Sequence, residues 1–454
     1  MQFLTMDTPN ILFIFTDQQR FDTMGCYGQS LNVTPNLDAL AEAGVQFTNA
    51  FSCQPVCGPA RSCLQTGLYA TQTGCYRNGI ALPTNMKTIA HIFSENGYSV
   101  GYIGKWHLAS NGLPSHEDIG PEADYRTKPI PKERRGGYKD YWLASDLLEF
   151  TSHPYEGHLF DKDMKKREFN KYRVDAITDF ALEYLENVEK SRPFFLFLSY
   201  LEPHQQNDYK SFVGPNYSKE KFSDYEIPGD LKGNKGDWEK YYPDYLGCCH
   251  SIDKNFGRIN KMLKDLEIDK NTIIFYTSDH GCHFKTRNRE YKRSCHESSI
   301  HIPLIIKGDV FKNGKIVDEL VSLIDLPPTI LASANIKIPD YMEGRNLHNL
   351  LNDKSQNWSN EIFIQISESQ IGRAIRTKKW KFSVSAPKKN GFLYSKSNTY
   401  KEEYLYDLET DPYEQENLIK LREHMDIKKI LKERLLWFIN HIEKEEPEIL
   451  PYNS

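Results

Sequence analysis

The chain has 454 residues, a net charge of −5, 39% hydrophobic and 13% aromatic residues. Such a composition excludes a disordered or fibrous protein and fits a globular enzyme with one large domain and a smaller one. The slightly acidic balance carries no footprint for nucleic acid, so cations that bind an anion must be gathered locally.

The longest apolar runs, 11–15 and 194–198, have the length of strands and fall far short of the ~20 residues of a membrane span. Residues 1–9 lack the charged and apolar regions of a secretory leader. The visible chain therefore reads as cytoplasmic, or as periplasmic or secreted if a leader has been removed. Nine cysteines cannot all pair, and adjacent Cys248 and Cys249 suit a disulfide framework poorly, which leans towards a reducing compartment.

Residues 11–15, Ile-Leu-Phe-Ile-Phe, predict a buried strand ending at Thr16-Asp17-Gln18. A helix over 35–43 follows, with Asn36 and Asp38 in its first turn and Gly44 at its end. Next come a helix over 86–96, a strand over 97–103, a helix over 174–190, a strand over 194–200, a helix over 253–266 and a strand over 272–277. This alternation predicts an α/β fold, a mostly parallel sheet sandwiched by helices. Between these elements, 112–154 and 205–242 are polar and rich in Pro, Gly and aromatic residues, and such long loops read as pocket walls. After about residue 350 the texture changes to short antiparallel strands, 362–366, 372–377, 380–384 and 405–408, then a helix over 425–443. The expected division is a large domain of residues 1–349 and a C-terminal α+β subdomain of 350–454. No internal repeat is visible.

The most informative stretch is Cys57-Gly58-Pro59-Ala60-Arg61, followed by Thr66-Gly67. It places a thiol at an expected helix start with an arginine one turn on, where both can face the same anion beside the unpaired N–H groups of the first turn. The plain alternative is a small buried thiol beside ordinary first-turn proline chemistry. Cys53 and Cys63 also permit a redox or metal reading, although neither forms a C-x-x-C pair with Cys57.

Four strand-end clusters stand beside it. Asp17-Gln18 and Asp279-His280 each pair an oxygen ligand with a second donor, and two such pairs can converge on one divalent cation. In Gly104-Lys105-Trp106-His107, extended alternation points Lys105 and His107 to one side, a cation next to an imidazole. His204, after Glu202-Pro203, is placed to donate a proton to a leaving group, and Lys292, before Cys295-His296-Glu297, adds a positive charge. Taken singly, each has a bland reading as loop acid, packed histidine or solvated lysine.

In chain order these residues resemble the type I, formylglycine-dependent sulfatases of the alkaline phosphatase superfamily, over nearly the whole length. The matching parts are Thr16-Asp17-Gln18, Thr34-Pro35-Asn36-Leu37-Asp38, Cys57 to Arg61 with Thr66-Gly67, Gly104 to His107, Pro203-His204, Ser278-Asp279-His280-Gly281, Lys292 before Glu297, and the C-terminal Leu405-Tyr406-Asp407-Leu408 with Asp411-Pro412 and Asn417-Leu418. The resemblance implies that Cys57 is oxidised by a maturation enzyme to formylglycine, whose hydrate attacks sulfur and later expels sulfate. It further implies that Asp17, Gln18, Asp279, His280 and the Cys57-derived group hold one divalent metal, Ca²⁺ before Mg²⁺ or Mn²⁺. Asp279 would accept the nucleophile's proton, Arg61 would hold the diol, and Lys105 and Lys292 would grip sulfate. His204 would protonate the leaving alcohol and His107 would deprotonate the second hydroxyl. Two positions depart from the commoner pattern: Gln18 stands for an acid and His280 for an asparagine, a pairing similar to the choline sulfatase and phosphonate monoester hydrolase branches. Gln65 replaces an aliphatic residue before Thr66-Gly67.

The expected activity is removal of sulfate from a sulfated carbohydrate. Tyr138, Tyr141 and Trp142 are expected to stack on sugar rings, and Gln205, Gln206, Asn207, Asp208 and His296 to bind substrate. The competing readings are a phosphonate monoester or phosphodiester hydrolase, or a choline-sulfatase-like enzyme, on the same scaffold, and, more remotely, an unmatured chain that only binds sulfated ligands.

Overall fold

The structure, a computed structural model, describes residues 8–112, 123–352 and 357–452. Most of the expected N-terminal segment 1–9 and part of the expected loop 112–154 lie outside the described residues.

Alternation along the first strand, Asn10–Asp17, sets the architecture. Ile11, Phe13 and Phe15 point into one apolar cluster with Phe197 and Phe275, while Leu12 and Ile14 point into another with Leu196, Leu198, Ile274 and Tyr276. A strand apolar on both sides must be covered on both sides, which is the condition for a central parallel strand. It pairs in parallel with Thr272–Ser278 on one edge and Phe194–Pro203 on the other. The latter pairs with Ser99–Lys105, which pairs with Tyr141–Ser145, again in parallel. Antiparallel strands Leu304–Lys307 and Glu156–Asp161 flank this core within an eleven-stranded sheet of the described residues.

Helices Pro35–Ala43, Arg173–Glu186 and Trp238–Asp265 bury their apolar stripes against one face. Cys57–Thr66, Ile89–Glu95 and Leu326–Ser333 cover the other. A second sheet, Glu361–Ile366, Gly372–Thr377, Trp380–Ser385 and Thr399–Asp407, is antiparallel, with Glu448–Leu450 added in parallel at its edge. Helix Met425–Glu443 packs on it. Among the described residues, no helix is long and apolar enough to cross a membrane.

Two expected loops are corrected. The 112–154 segment contains the fifth parallel strand, Tyr141–Ser145, and a short helix, Leu148–Thr151. The 205–242 segment runs into a helix that begins at Trp238, well before the expected residue 253, and carries Pro243 inside it. Proline removes one backbone donor there, and Tyr241, Tyr242 and Tyr245 anchor the turn in an apolar cluster with Phe212 and Phe284. The expected aromatic sugar platform is also overturned. Tyr138 and Trp142 are buried core residues packed with Tyr102 and Trp106, and Tyr141 packs on Tyr184. The Tyr138 hydroxyl donates to Gln65 Oε1 at 3.0 Å, which accounts for an amide at that buried helical position.

Candidate active site

Because the core strands run in parallel, their carboxyl ends share one edge, where α/β sheets place their ligands. Asp17, Lys105, His204 and Asp279 all arrive there from different strands. Gly104 allows two of these strands to approach. Its φ is +107°, and a Cβ would lie 1.9 Å from the Ser199 carbonyl oxygen.

The cysteine comes from the other side, at the first position of helix Cys57–Thr66. The Gly58 N–H donates to Asn78 Oδ1 at 2.9 Å, and Pro59 has no N–H to satisfy. Gly67, at φ +74°, closes the helix, its N–H donating to Cys63 O. Cys57 is buried, with Sγ 3.3 Å from Asp17 Oδ1, 3.4 Å from His280 Nε2 and 2.8 Å from Lys292 Nζ. Burial pushes this thiol up, but Lys292, Lys105 and His280 outweigh it and hold it well below the ordinary thiol range. Cys53 and Cys63, by contrast, are buried in the apolar core, and all nine cysteines are unpaired.

Asp17, Cys57, Asp279 and His280 offer ligand atoms that all lie within 4.8 Å of one another, and all four are buried. Gln18, held at φ +71° by a bond from its N–H to Asp279 Oδ1, adds a buried Oε1 without a hydrogen-bond partner among the described residues. The His280 Nδ1–H donates to the Gly281 carbonyl at 2.9 Å, so the Nε2 lone pair faces the cluster. Two carboxylates, an amide oxygen and an imidazole form a mostly hard donor set that fits a divalent cation. Burial pushes Asp17 up, yet Lys105, His204 and Lys292 hold it well below the usual carboxylate range, whereas burial and the Asp17 charge push Asp279 up.

Arg61 is engaged with the protein, and this modifies the expectation that it faces the anion. Nη2 lies 3.1 Å from Asp17 Oδ2 and 3.5 Å from Asp279 Oδ2, while Nη1 donates to Lys105 O and Ser199 Oγ. It balances the two carboxylates and ties the strand ends together. Lys105 Nζ lies 2.9 Å from Asp17 Oδ2 and 3.3 Å from Glu149 Oε1. Extended alternation does not bring His107 to Lys105, since the strand ends at Lys105 and His107 is left-handed at φ +59°. Both nevertheless act on Cys57. The His204 Nδ1–H donates to Gln205 O at 2.7 Å, which leaves Nε2 as the nitrogen available to substrate.

Glu149 was not legible in the sequence. It belongs to the short helix after the unrecognised fifth strand, and its strand-end position is the signal that would have exposed it. Its carboxylate is buried and, despite burial, held below the usual range by Lys105, His204 and His107. A hydrogen-bonded path links it to this donor cluster: Asn207 Nδ2 donates to Glu149 Oε1 at 3.4 Å, Gln205 Nε2 to Asn207 Oδ1 at 3.3 Å, and Gln18 Nε2 to Gln205 Oε1 at 2.8 Å. Since a carboxylate only accepts, the path orients each amide in turn and leaves Gln18 with its oxygen towards the cluster.

The other expected substrate residues are placed differently. Gln206 is buried, accepting from Arg173 and donating to Glu149 O, Ser152 O and Asp208. Asp208 pairs with His153. His296 is buried against Tyr404 and Tyr406, 3.1 Å from the Tyr406 hydroxyl. The hydrogen bonds of Gln206 and His296 are therefore with the scaffold.

A parallel-sheet edge that gathers cations and a hard-donor cradle around one helix-start side chain defines an enzyme of the alkaline-phosphatase-like α/β class. The sulfatase family model matches residues 9–336, and the chain belongs to that family. The model of the N-sulphoglucosamine sulphohydrolase C-terminal region matches 289–441. Among relatives, an ulvan-active sulfatase of Formosa agariphila is 31% identical over 432 residues, covering 90% of this chain and 77% of the relative. An N-acetylglucosamine-6-O-sulfatase of Bacteroides thetaiotaomicron is 25% identical, covering 94% and 85%. Among solved structures, a putative sulfatase of Bacteroides fragilis superposes with a TM-score of 0.80 at 25% identity, covering 98% of each chain. The protein is a sulfatase.

Proposed function

We propose that this sulfatase releases sulfate from a sulfated carbohydrate, with Cys57 oxidised to formylglycine by a maturation enzyme. The observation that carries the reading is the convergence on Cys57 of Lys292, His280 and Asp17 in a buried strand-end site. The similarity to sulfatases active on ulvan and on N-acetylglucosamine supports the substrate class. Residues 1–349 would form the catalytic domain and 350–454 the smaller one.

Asp17, Gln18, Asp279, His280 and the group derived from Cys57 would hold one divalent cation, Ca²⁺ in the first place. When bound, such a cation supplies Lewis-acid polarisation of the ester's sulfuryl oxygens. The hydrated aldehyde at position 57 supplies the attacking hydroxyl. Arg61 keeps the two carboxylates in place, and Asp279 takes the proton of the attacking hydroxyl. Lys105 and Lys292 neutralise the charge that builds on sulfate oxygens. His204 gives its Nε2 proton to the alcohol oxygen as the S–O bond breaks, and His107 removes a proton from the remaining hydroxyl as sulfate departs.

The test is release of inorganic sulfate from defined sulfated oligosaccharides by matured protein, with the mass of the peptide around Cys57 measured in parallel. Cys57→Ala is expected to abolish turnover with the melting temperature nearly unchanged. Retained turnover in that variant excludes the formylglycine route. Turnover confined to a small alkyl or choline sulfate, or a preference for aryl phosphonate over the matched aryl sulfate, excludes the carbohydrate reading.

A further inference from the structure

Arg77 is a buried cation that the reaction leaves unused. Only 5% of it is exposed, yet among the described residues no carboxylate lies within ion-pair distance of it. Its Nη1 donates to Asn78 O at 2.9 Å, and its Nε is buried without a hydrogen-bond partner among the described residues. Burying a charge is costly unless it is paired, so an unpaired buried guanidinium calls for an anion supplied from outside. Among the described residues, the nearby acids are committed elsewhere. Glu368 pairs with Arg293 and accepts the Asn78 N–H, and Asp146 accepts the N–H groups of Ala109 and Ser110.

The residue stands close to the start of helix Cys57–Thr66. Asn78, its neighbour, accepts the Gly58 N–H, one residue from Cys57. The guanidinium lies 6.0 Å from the ring of Phe392, in a loop of the second sheet whose consecutive residues Phe392, Leu393 and Tyr394 are 49%, 46% and 39% exposed. Three such apolar residues in a row present a surface on which the apolar face of a pyranose can lie.

We infer that Arg77 and the Phe392 loop form a subsite for a second oxyanion, a sulfate or carboxylate carried on the sugar next to the one being desulfated. This rests on the carbohydrate reading of the active site. A guanidinium suits either group through paired N–H donors, and a charge-assisted bond of about 1.5–3 kcal/mol corresponds to roughly tenfold or more in affinity.

The test uses matured enzyme turning over 4-nitrophenyl sulfate, inhibited by three disaccharides: one monosulfated and otherwise neutral, one with a second sulfate on the neighbouring sugar, and one with a carboxylate there. Wild type is expected to bind at least one doubly anionic compound about tenfold more tightly than the neutral reference. The stronger of the two identifies the second group. Arg77→Gln is expected to abolish that ratio, and Arg77→Lys to retain part of it. Because each variant is compared with itself across inhibitors, a general loss of activity does not mimic the result. Should Arg77→Gln not fold, wild type still decides, since the ratio must collapse as salt is raised from about 0.05 to 0.5 M. Equal inhibition by all three compounds in wild type, or an unchanged ratio in Arg77→Gln, overturns the subsite. If the ratio behaves as expected but no disaccharide is desulfated, the substrate reading fails while the subsite stands.

Discussion

Around Cys57, individual atoms take their roles from partners far away in sequence. Gln18 is the clearest case, since an amide can present either oxygen or nitrogen to a metal. Its orientation follows from Gln205, Asn207 and finally the Glu149 carboxylate. Glu149 also holds Lys105, so one acid steadies both Gln18 and Lys105. Glu149→Gln is expected to lower kcat/KM for an aryl sulfate about 10- to 100-fold, the usual scale for a residue that orients a metal ligand. It is also expected to weaken Ca²⁺ binding measured by calorimetry. Unchanged Ca²⁺ affinity would show that the amide path does not orient Gln18.

Among the elements, helix Pro35–Ala43 has a start that was legible in the sequence, from Pro35 to Gly44, but its cap was not. Thr34 makes no side-chain cap bond. Instead Asp253, from the middle of helix Trp238–Asp265, accepts the Leu37 N–H and the Asn36 amide, each at 2.8 Å. Burial pushes this carboxyl up to about 6, although both bonds pull it down. A carboxyl raised in the folded state contributes stability that is present below its unfolded value, near 4, and lost as pH rises to about 6. Wild type should therefore lose about 2–3 kcal/mol from this site between pH 4 and 7. Asp253→Asn, which cannot ionise, should gain that much relative to wild type over the same interval, read from urea unfolding at both pH values. A pH-independent difference would contradict the assignment.

At the scale of the whole molecule, a buried ionic knot joins the second sheet to the short helix that follows the Lys292 loop. Lys381, on the second sheet, lies 2.6 Å from both Glu297 and Glu414, and Arg376 also reaches Glu297. The Glu297 N–H donates to Glu414 Oε2, closing the knot just after the Lys292 loop. Removing one partner from a buried pair typically costs about 3–5 kcal/mol because the remaining charge is stranded. Lys381→Ala is expected to lose about that much stability in urea unfolding. A loss below about 1 kcal/mol would mean that water reaches the two glutamates.

Local chemistry determined much of this protein. The apolar run after Asn10, the helix start at Cys57 and the strand-end pairs Asp17-Gln18 and Asp279-His280 are set by periodicity and residue type, which act over a few residues. Their order along the chain sufficed to indicate the fold class. Tertiary structure decided what depends on distant partners: that Tyr138 and Trp142 are core and not pocket wall, that Arg61 is engaged by Asp17 and Asp279, and that Glu149 stands beside Lys105. Burial and hydrogen bonding between residues tens to hundreds of positions apart leave no periodic trace in the chain. The same aromatic or acid therefore reads alike whether it faces the solvent, the core or the reacting centre.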